Sequence, residues 1–239
     1  MPAPISVVIP TLNAAHALPS ALEALIEGLD AGLLRDLVVS DGGSSDATLA
    51  IADAAGAKTV RGLPGRGAQI ARGVGACSGD WILILHADGW LDPGWTGEVR
   101  AHIEAAPDRA AYFRLAFRAE GAMPRWVARW ANLRSRLFNL PYGDQGLLVS
   151  RSSLACVGGV PDLPLMEDVA LARALKGRLV PLRSQITTSA DRYERDGWIA
   201  RGARNLSLLG RYALGADPAD LAKRYGPGSA AIDPQDRSG

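Results

Sequence analysis

The chain has 239 residues, 48% of them hydrophobic, which is enough for a large core in one α/β domain or two small ones. Lys plus Arg number 26 and Asp plus Glu 25, so the formal net charge of +1 argues against nucleic acid or an acidic partner. Two cysteines, Cys77 and Cys156, are too few for a disulfide framework and lie in no zinc-binding pattern.

The N-terminus and the overall hydropathy predict where the protein works. Residues 1–4 lead straight into an apolar strand without a basic region, so we expect no signal peptide. No run approaches the length of about 18 apolar residues that a membrane span needs. Together with the unpaired cysteines, these features predict a cytoplasmic protein in a reducing compartment.

The first half of the chain alternates short apolar strands with amphipathic helices. The first helix has Pro19 in its first turn and is expected to bury a stripe of apolar residues. The predicted strands are Ile5–Ile9, Leu37–Ser40, Lys58–Arg61 and Trp81–Leu85, and the stripe of the first helix is Leu18, Leu22, Leu25, Ile26 and Leu29. This order predicts a doubly wound parallel sheet, the nucleotide-binding half of many enzymes.

The most apolar strand, Trp81–Leu85, ends abruptly at polar residues. Five large apolar residues in a row predict a central strand that is covered on both faces. Ligands of open α/β sheets bind beyond the carboxyl ends of the strands, so His86 and Asp88 lie where a site is expected, and Asp88 is a candidate metal ligand. The alternatives are a simple turn at Asp88-Gly89 and a histidine that is hydrogen-bonded to a neighbouring loop.

A glycine-rich loop, Gly62–Gly67, precedes a helix that carries Gln69, Ile70 and Val74. The loop lacks the Gly-Lys-Ser or Gly-Lys-Thr of a P-loop. It does not follow the first strand, as a dinucleotide-binding fingerprint would. Kinase and dehydrogenase functions are therefore disfavoured.

The second half is less regular and its elements are predicted individually. A strand at Ala110–Ala119 alternates apolar residues with arginines, which indicates a half-exposed antiparallel or edge strand. The other predicted elements are a helix from Pro124 to Leu140, a strand Leu147–Ser150, a helix Val169–Lys176, strands Leu179–Leu182 and Ile186–Thr188, and helices Trp198–Leu214 and Pro218–Tyr225. Residues 226–239 are rich in Gly, Pro, Ser and Asp and are predicted to be disordered.

The helix from Pro124 to Leu140 has an unusual distribution of charge. Trp126, Trp130, Leu133 and Leu137 lie on one helical face, and no acid occurs between positions 121 and 143. Four arginines, Arg125, Arg129, Arg134 and Arg136, flank this face. The pattern suits a helix lying in a membrane interface beside anionic headgroups. The alternative is a core-packing helix with solvated arginines.

Five short motifs, taken in order, resemble the family 2 glycosyltransferases of the GT-A fold, in particular small bacterial members similar to dolichol-phosphate-sugar synthases. The resemblance covers roughly residues 5–180. The motifs are Val-Val-Ile-Pro-Thr-Leu-Asn (7–13), Val-Val-Ser-Asp-Gly-Gly-Ser-Ser-Asp (38–46), Gly-Arg-Gly-Ala-Gln (65–69), Leu-His-Ala-Asp (85–88) and Met-Glu-Asp (166–168). Each motif is weak alone, whereas five in this order are specific.

The resemblance implies one GT-A domain over residues 1–225, with a nucleotide-sugar-binding half at 1–106 and an acceptor-side half at 107–225. It implies transfer of a sugar from a nucleoside-diphosphate sugar to an acceptor, with inversion, and similar enzymes often use lipid-linked acceptors. The residues that match the donor-binding positions are Pro10, Thr11, Asn13, Asp41, Arg66, Gln69 and Asp88. Peripheral contact at the inner face of the membrane would fit a lipid-linked acceptor.

The resemblance also implies roles for the catalytic and metal-binding residues. Asp168 matches the general base and Glu167 its supporting neighbour, while Asp144 and Gln145 lie in the region that contacts the acceptor. Asp88 matches the last Asp of the Asp-X-Asp motif, which implies a divalent cation, Mn²⁺ or Mg²⁺. The first Asp of that motif is His86 here, and imidazole suits Mn²⁺ better than Mg²⁺.

Two other functional classes remain open at this stage. A nucleotidyltransferase would carry a glycine-rich loop with a basic residue directly after the first strand, where this chain has Pro-Thr-Leu-Asn. A non-catalytic GT-A binding subunit would have no need of Asp41, Asp88 and Asp168 together. A long-chain polysaccharide synthase is disfavoured because the Gln-X-X-Arg-Trp motif of that subgroup is absent.

Overall fold

A computed structural model describes residues 3–225 and shows one mixed sheet flanked by helices. The strands, in chain order β1 to β8, are Ile5–Thr11, Leu34–Asp41, Lys58–Arg61, Trp81–Ile84, Trp90–Leu91, Ala110–Phe117, Leu147–Ser150 and Leu179–Thr188. The eight-stranded sheet has the order β3-β2-β1-β4-β7-β6-β8-β5. The predicted α/β class is confirmed.

The helices, α1 to α11 in chain order, lie between and beyond these strands. They are Leu18–Glu23, Ile26–Asp30, Thr48–Ala54, Arg66–Ala76, Trp95–Ala105, Ala122–Phe138, Arg151–Cys156, Glu167–Ala174, Asp191–Asp196, Trp198–Ala213 and Pro218–Tyr225, and a 3₁₀ turn spans Gly143–Gln145. No helix within residues 3–225 combines the length and the apolarity needed to cross a bilayer.

The first four strands form the parallel half of the sheet, as the sequence predicts. β1 pairs in parallel with both β2 and β4, and β2 pairs in parallel with β3. Val7, Ile9 and Leu83 belong to the apolar cluster on one face, whereas Val8, Ile82 and Ile84 belong to the cluster on the other. Burial on both faces explains the continuous apolar runs, and the carboxyl ends of β1, β2 and β4 point to one edge.

The prediction of one continuous first helix is wrong, and so is part of the stripe predicted to be buried. It is divided into α1 and α2, and Ile26 and Leu29 are exposed. Gly28 is buried instead, and a Cβ atom at this position would lie 2.7 Å from the Trp95 ring. The indole of Trp95 therefore leaves room only for glycine where α2 comes closest to it. Because α2 packs through Gly28, its larger apolar side chains face outward.

Of the two alternatives predicted for residues 110–119, the edge strand is wrong, and antiparallel pairing holds on one side only. β6 lies inside the sheet, antiparallel to β7 and parallel to β8, and Phe113 is completely buried. The two predicted strands at 179–182 and 186–188 form one strand, β8, with an irregular register opposite Tyr112 and Arg114. The elements β5, α5, α7 and α9 have no counterpart among the predicted ones.

The sheet continues through both predicted halves of the chain, because β4 pairs antiparallel with β7. The single domain over residues 1–225 and its division after residue 106 stay predictions. The disordered tail predicted at 226–239 lies outside the residues that the structure describes.

Candidate active site

Polar residues from distant parts of the chain line one cavity at the carboxyl edge of the sheet. The cavity has a volume of about 180 Å³. His86 and Asp88 follow β4, Thr188 ends β8, and Glu167 and Asp168 begin α8. Strand ends and a helix start therefore bring together residues that are up to about a hundred positions apart, as the switch point of an open sheet does.

Asp88 is an acid of the cavity wall whose pKa is lowered. Burial alone would raise the pKa of Asp88, but the charge of His86 and its hydrogen bond, together with Arg192 and the Thr188 hydroxyl, lower this pKa to about 2. His86 Nδ1 is in direct contact with Asp88 Oδ1. Asp88 is therefore an ionised carboxylate at neutral pH, which a cation ligand must be.

The residues around Asp88 fit a divalent cation only in part. Asp88 and His86 are the predicted metal ligands, and Thr188 supplies a hydroxyl nearby. Among residues 3–225, no group of three His, Cys, Asp or Glu side chains is arranged to hold a metal. One carboxylate and one imidazole suffice for a Mn²⁺ or Mg²⁺ ion that takes its other ligands from substrate phosphates and water.

Glu167 is buried, with 3% of its surface exposed, and it faces Arg66. Arg66 Nε lies 3.0 Å from Glu167 Oε1, but the pair lacks hydrogen-bond geometry. Burial raises the pKa of Glu167 to about 7, because this imperfect contact with Arg66 only partly offsets desolvation and the nearby charge of Asp168. Glu167 is therefore placed to orient Arg66, and it also lines the cavity.

Asp168 lines the same cavity and is held by two backbone groups. Its Oδ2 accepts a hydrogen bond from the Gly143 N–H at 2.7 Å, and its Oδ1 accepts one from the Val169 N–H at 2.7 Å. Met166, at the N-cap of α8, has a left-handed φ of 65° and turns the chain into this position. Such fixed orientation suits a proton acceptor in a reaction.

The 3₁₀ turn approaches the guanidinium of Arg66 closely at Gly143. A Cβ atom at position 143 would lie 2.0 Å from Arg66 Nη2. Arg66 thus passes under the turn that binds Asp168, and the charges of Glu167, Asp168, Asp144 and Asp88 all act on it. Burial raises the pKa of Asp144, although the charge of Arg134 opposes this. The predicted donor-binding residue Arg66 is thereby surrounded by acids.

Gln145, predicted to contact the acceptor, does not line the cavity. Its side chain is fully buried, accepts a hydrogen bond from the Ser135 hydroxyl at 2.5 Å and donates one to the Phe113 carbonyl at 3.2 Å. These bonds join α6 and β6 to the 3₁₀ turn. Gln145 therefore positions the backbone beside Asp144.

The predicted nucleoside-binding residues form a separate cluster at the ends of β1 and β2. Asp41 is fully buried and accepts hydrogen bonds from the Gly43 and Ser44 N–H groups, both at 2.8 Å, and from the Thr11 hydroxyl at 3.1 Å. Burial would raise the pKa of Asp41, but these hydrogen bonds outweigh it and lower the pKa. Asp41 thus fixes a loop, and Pro10 lies beside it, partly exposed.

Asn13 and Gln69 connect the same two strand ends. Asn13 Oδ1 accepts a hydrogen bond from the Ser45 N–H at 2.9 Å. Gln69 Nε2 donates to the Thr11 carbonyl at 2.7 Å and to the Ser40 carbonyl at 3.0 Å. These residues and Asp41 build a rigid shelf beside the cavity, although none of them lines it.

The C-terminal part of the chain contributes cavity residues that the sequence analysis did not select. They are Phe117, Thr188, Ser189, Arg192, Tyr193, Arg201 and Asn205. Thr188 could have been selected from the sequence, because it is a polar residue at the end of a predicted strand. Arg192 and Tyr193 lie on α9, a helix of six residues that is too short to show a periodic pattern.

Helix α6 faces outward with the apolar stripe that the sequence singled out. Trp126 is 60% exposed and Leu137 64%, and Trp130 and Leu133 are also exposed. The packed face consists mainly of residues smaller than the exposed ones, with Arg134 the exception, and Asn132 fixes it by bonding both backbone groups of Leu115 in β6. The core-packing alternative for this stripe is therefore wrong. Arg134, predicted to flank it, is buried instead over the Tyr142 ring.

Comparison with known proteins identifies relatives of this chain. Residues 6–154 match the family described as Glycosyl transferase family 2. A glucosyl-3-phosphoglycerate synthase of Mycolicibacterium smegmatis is 38% identical over 98 residues, which are 37% of this chain and 32% of that protein. The chain thus aligns with about a third of that relative's length.

Solved structures share the fold at low sequence identity. TarS of S. aureus in complex with UDP-GlcNAc superposes with a TM-score of 0.62 at 16% identity, covering 78% of this chain and 58% of that one. Glucosyl-3-phosphoglycerate synthase of Mycobacterium tuberculosis, in complex with Mn²⁺, UDP and glucosyl-3-phosphoglycerate, gives 0.54 at 23% identity, covering 78% and 70%.

Proposed function

The chain belongs to glycosyltransferase family 2, and from this premise we propose that it transfers a sugar from a nucleoside-diphosphate sugar to an acceptor hydroxyl, with inversion. The observation that carries the proposal is that Asp168 and Asp88 line one cavity from opposite parts of the fold. One carboxylate is thereby available for the acceptor and the other for the leaving group.

Asp168 is the general base in this proposal. As the acceptor oxygen forms its bond to the anomeric carbon, Asp168 takes the proton of the attacking hydroxyl. The hydrogen bonds from Gly143 and Val169 hold its carboxylate in place before the substrate arrives. Asp144 lies beside it on the acceptor side of the cavity.

Asp88 and His86 hold a divalent cation in this proposal. Such an ion, when bound, neutralises the diphosphate of the donor and makes it a better leaving group. The relative from M. tuberculosis was solved with Mn²⁺ and UDP, which supports Mn²⁺ and a uridine nucleotide as the first ligands to test. TarS with UDP-GlcNAc supports the same base.

The donor's base and ribose are placed over the shelf formed by Pro10, Thr11, Asn13, Asp41 and Gln69. This shelf adjoins the cavity through Arg66, since both Arg66 and Gln69 lie on α4. Asp41 and Gln69 act here by fixing the backbone that the nucleoside contacts, because their own polar atoms are already bonded.

Product analysis distinguishes this function from the two alternatives. With a panel of UDP-sugars and Mn²⁺, we expect release of UDP, and even without an acceptor slow transfer to water releases the same product. Release of pyrophosphate would identify a nucleotidyltransferase. Release of neither product from a protein that binds UDP would identify a binding subunit without catalysis.

The lipid-linked acceptor and the membrane contact also belong to this proposal. The exposed stripe of α6, defined by Trp126, Trp130, Leu133 and Leu137, adjoins exposed Arg125, Arg129 and Arg136. The loop after α6 carries Tyr142, Gly143 and Asp144 into the cavity wall. A bilayer with anionic headgroups matches both the apolar stripe and the arginines, and it would present a lipid-linked acceptor beside Asp168.

We expect the protein to sediment with vesicles that contain anionic phospholipid at low salt. Changing Trp126 and Trp130 to alanine should abolish sedimentation, and each arginine changed to glutamine should weaken it by roughly 1 kcal/mol. The matched control is Ile26→Ala with Leu29→Ala, which removes exposed apolar side chains from α2. A wild-type protein that ignores these vesicles would make a soluble acceptor the better assignment.

A further inference from the structure

Arg192 lines the same cavity as Asp88. It follows Thr188, the last residue of β8, by four positions. Thr188 and Asp88 line the cavity with it, and both the Thr188 hydroxyl and the charge of Arg192 lower the pKa of Asp88. The segment that follows β8 therefore brings a guanidinium to the cavity wall that Asp88 also lines.

The charge of Arg192 is less engaged by acids than that of the other arginines on the cavity wall. Arg66 contacts Glu167, and Arg201 contacts Asp196 at 2.9 Å. Within residues 3–225, Arg192 forms no ion pair with any carboxylate. A half-buried guanidinium facing a polar cavity without a paired acid is suited to binding an anion.

The leaving group of the proposed reaction needs positive charge to stabilise it. A departing nucleoside diphosphate gains negative charge as the bond from its β-phosphate oxygen to the anomeric carbon breaks. The metal site offers one carboxylate and one imidazole, so a cation there is held by fewer charges than in a site with two aspartates. Arg66 is already close to four acids.

We propose that Arg192 binds the β-phosphate of the donor and stabilises the leaving diphosphate together with, or without, a metal ion at Asp88. The inference rests on the proposed function, because it assigns a residue to the leaving group of that reaction. The electron pair of the broken bond stays on the phosphate oxygen, and Arg192 meets this charge with N–H donors. Arg192 transfers no proton, since its guanidinium stays protonated.

Calorimetric titration with UDP and UMP in EDTA tests the inference without relying on turnover. The two ligands differ by the β-phosphate alone, so their affinity ratio reports contacts to that group. We expect Arg192→Ala to weaken UDP binding by about tenfold or more and to leave UMP binding within about threefold, as for the loss of a charge-assisted hydrogen bond. Arg192→Lys should recover part of the loss because it keeps the charge.

Arg195→Ala is the matched control. Arg195 lies on the same short helix, is 64% exposed, pairs with Asp196 and does not line the cavity. Unchanged UDP affinity in this variant together with a loss in Arg192→Ala would support the inference. Equal losses for UDP and UMP in Arg192→Ala would overturn it, because they would indicate a general change in the site, and so would an unchanged UDP affinity.

The same titrations separate this inference from the proposed function. A wild-type protein that binds UDP and releases it from a UDP-sugar, while Arg192→Ala binds UDP equally well, overturns only the role of Arg192. A wild-type protein that binds neither UDP nor UMP, with or without Mn²⁺, overturns the proposed donor and this inference with it.

Discussion

Asp168→Asn should lower turnover by about a thousandfold while leaving UDP affinity within about threefold, because a general base acts in the transition state and contributes little to donor binding. The amide has nearly the shape of the carboxylate but accepts no proton. It can still accept the hydrogen bond from Gly143 or that from Val169. The measurements are steady-state release of UDP and a UDP titration of the same variant.

Two variants serve as controls for Asp168→Asn. Asp162→Asn makes the same chemical change at an exposed position in the preceding loop, and we expect wild-type activity. Glu167→Gln should lose less activity than Asp168→Asn, because Glu167 is buried against Arg66 and only supports the site. Turnover of Asp168→Asn within tenfold of wild type would refute Asp168 as the base.

Asp88→Ala should remove the dependence of UDP binding on Mn²⁺. In Mn²⁺, we expect UDP to bind about tenfold to a hundredfold more weakly to the variant than to wild type, since the only carboxylate of the proposed metal site is lost. In EDTA, the variant should bind UDP at least as well as wild type. The removed carboxylate repels the diphosphate, and its loss leaves His86 and Arg192 facing the ligand.

The opposite changes in UDP affinity expected in Mn²⁺ and in EDTA distinguish loss of a metal ligand in Asp88→Ala from damage to the fold. A change that merely damaged the fold would weaken binding under both conditions. Asp108→Ala, which removes an exposed carboxylate away from the cavity, is the matched control and should show the wild-type response. If EDTA alters neither binding nor activity of the wild-type protein, the metal role of Asp88 and His86 is wrong.

The functional assignments rest on different amounts of sequence information. The apolar run Trp81–Ile84 predicted the central strand, and Asp88 followed from the place where that strand ends. Asp168 required the resemblance to a family, because an acid at the start of a helix is common for reasons of the helix dipole alone. Only the structure assigns different roles to Glu167 and Asp168. The two acids are adjacent in the sequence, but only Glu167 contacts Arg66 of α4.

Helix α6 also shows what periodicity in a sequence does not determine. The 3.6-residue period correctly placed Trp126, Trp130, Leu133 and Leu137 on one face, but a period does not reveal whether that face is covered. β6 packs instead on the small residues of the opposite face, where Asn132 bonds Leu115. The apolar face of α6, which would also suit a core, is therefore exposed.

The sequence by itself determined the first four strands, their apolar runs in a parallel half-sheet and the polar residues at their carboxyl ends. These features depend on neighbours along the chain and on backbone periodicity. Only the tertiary structure decided that Gln145 is enclosed, that Gly28 replaces Ile26 and Leu29 in the core, and that Arg192 faces Asp88. Burial and charge pairing arise between segments a hundred residues apart, so local patterns do not determine them.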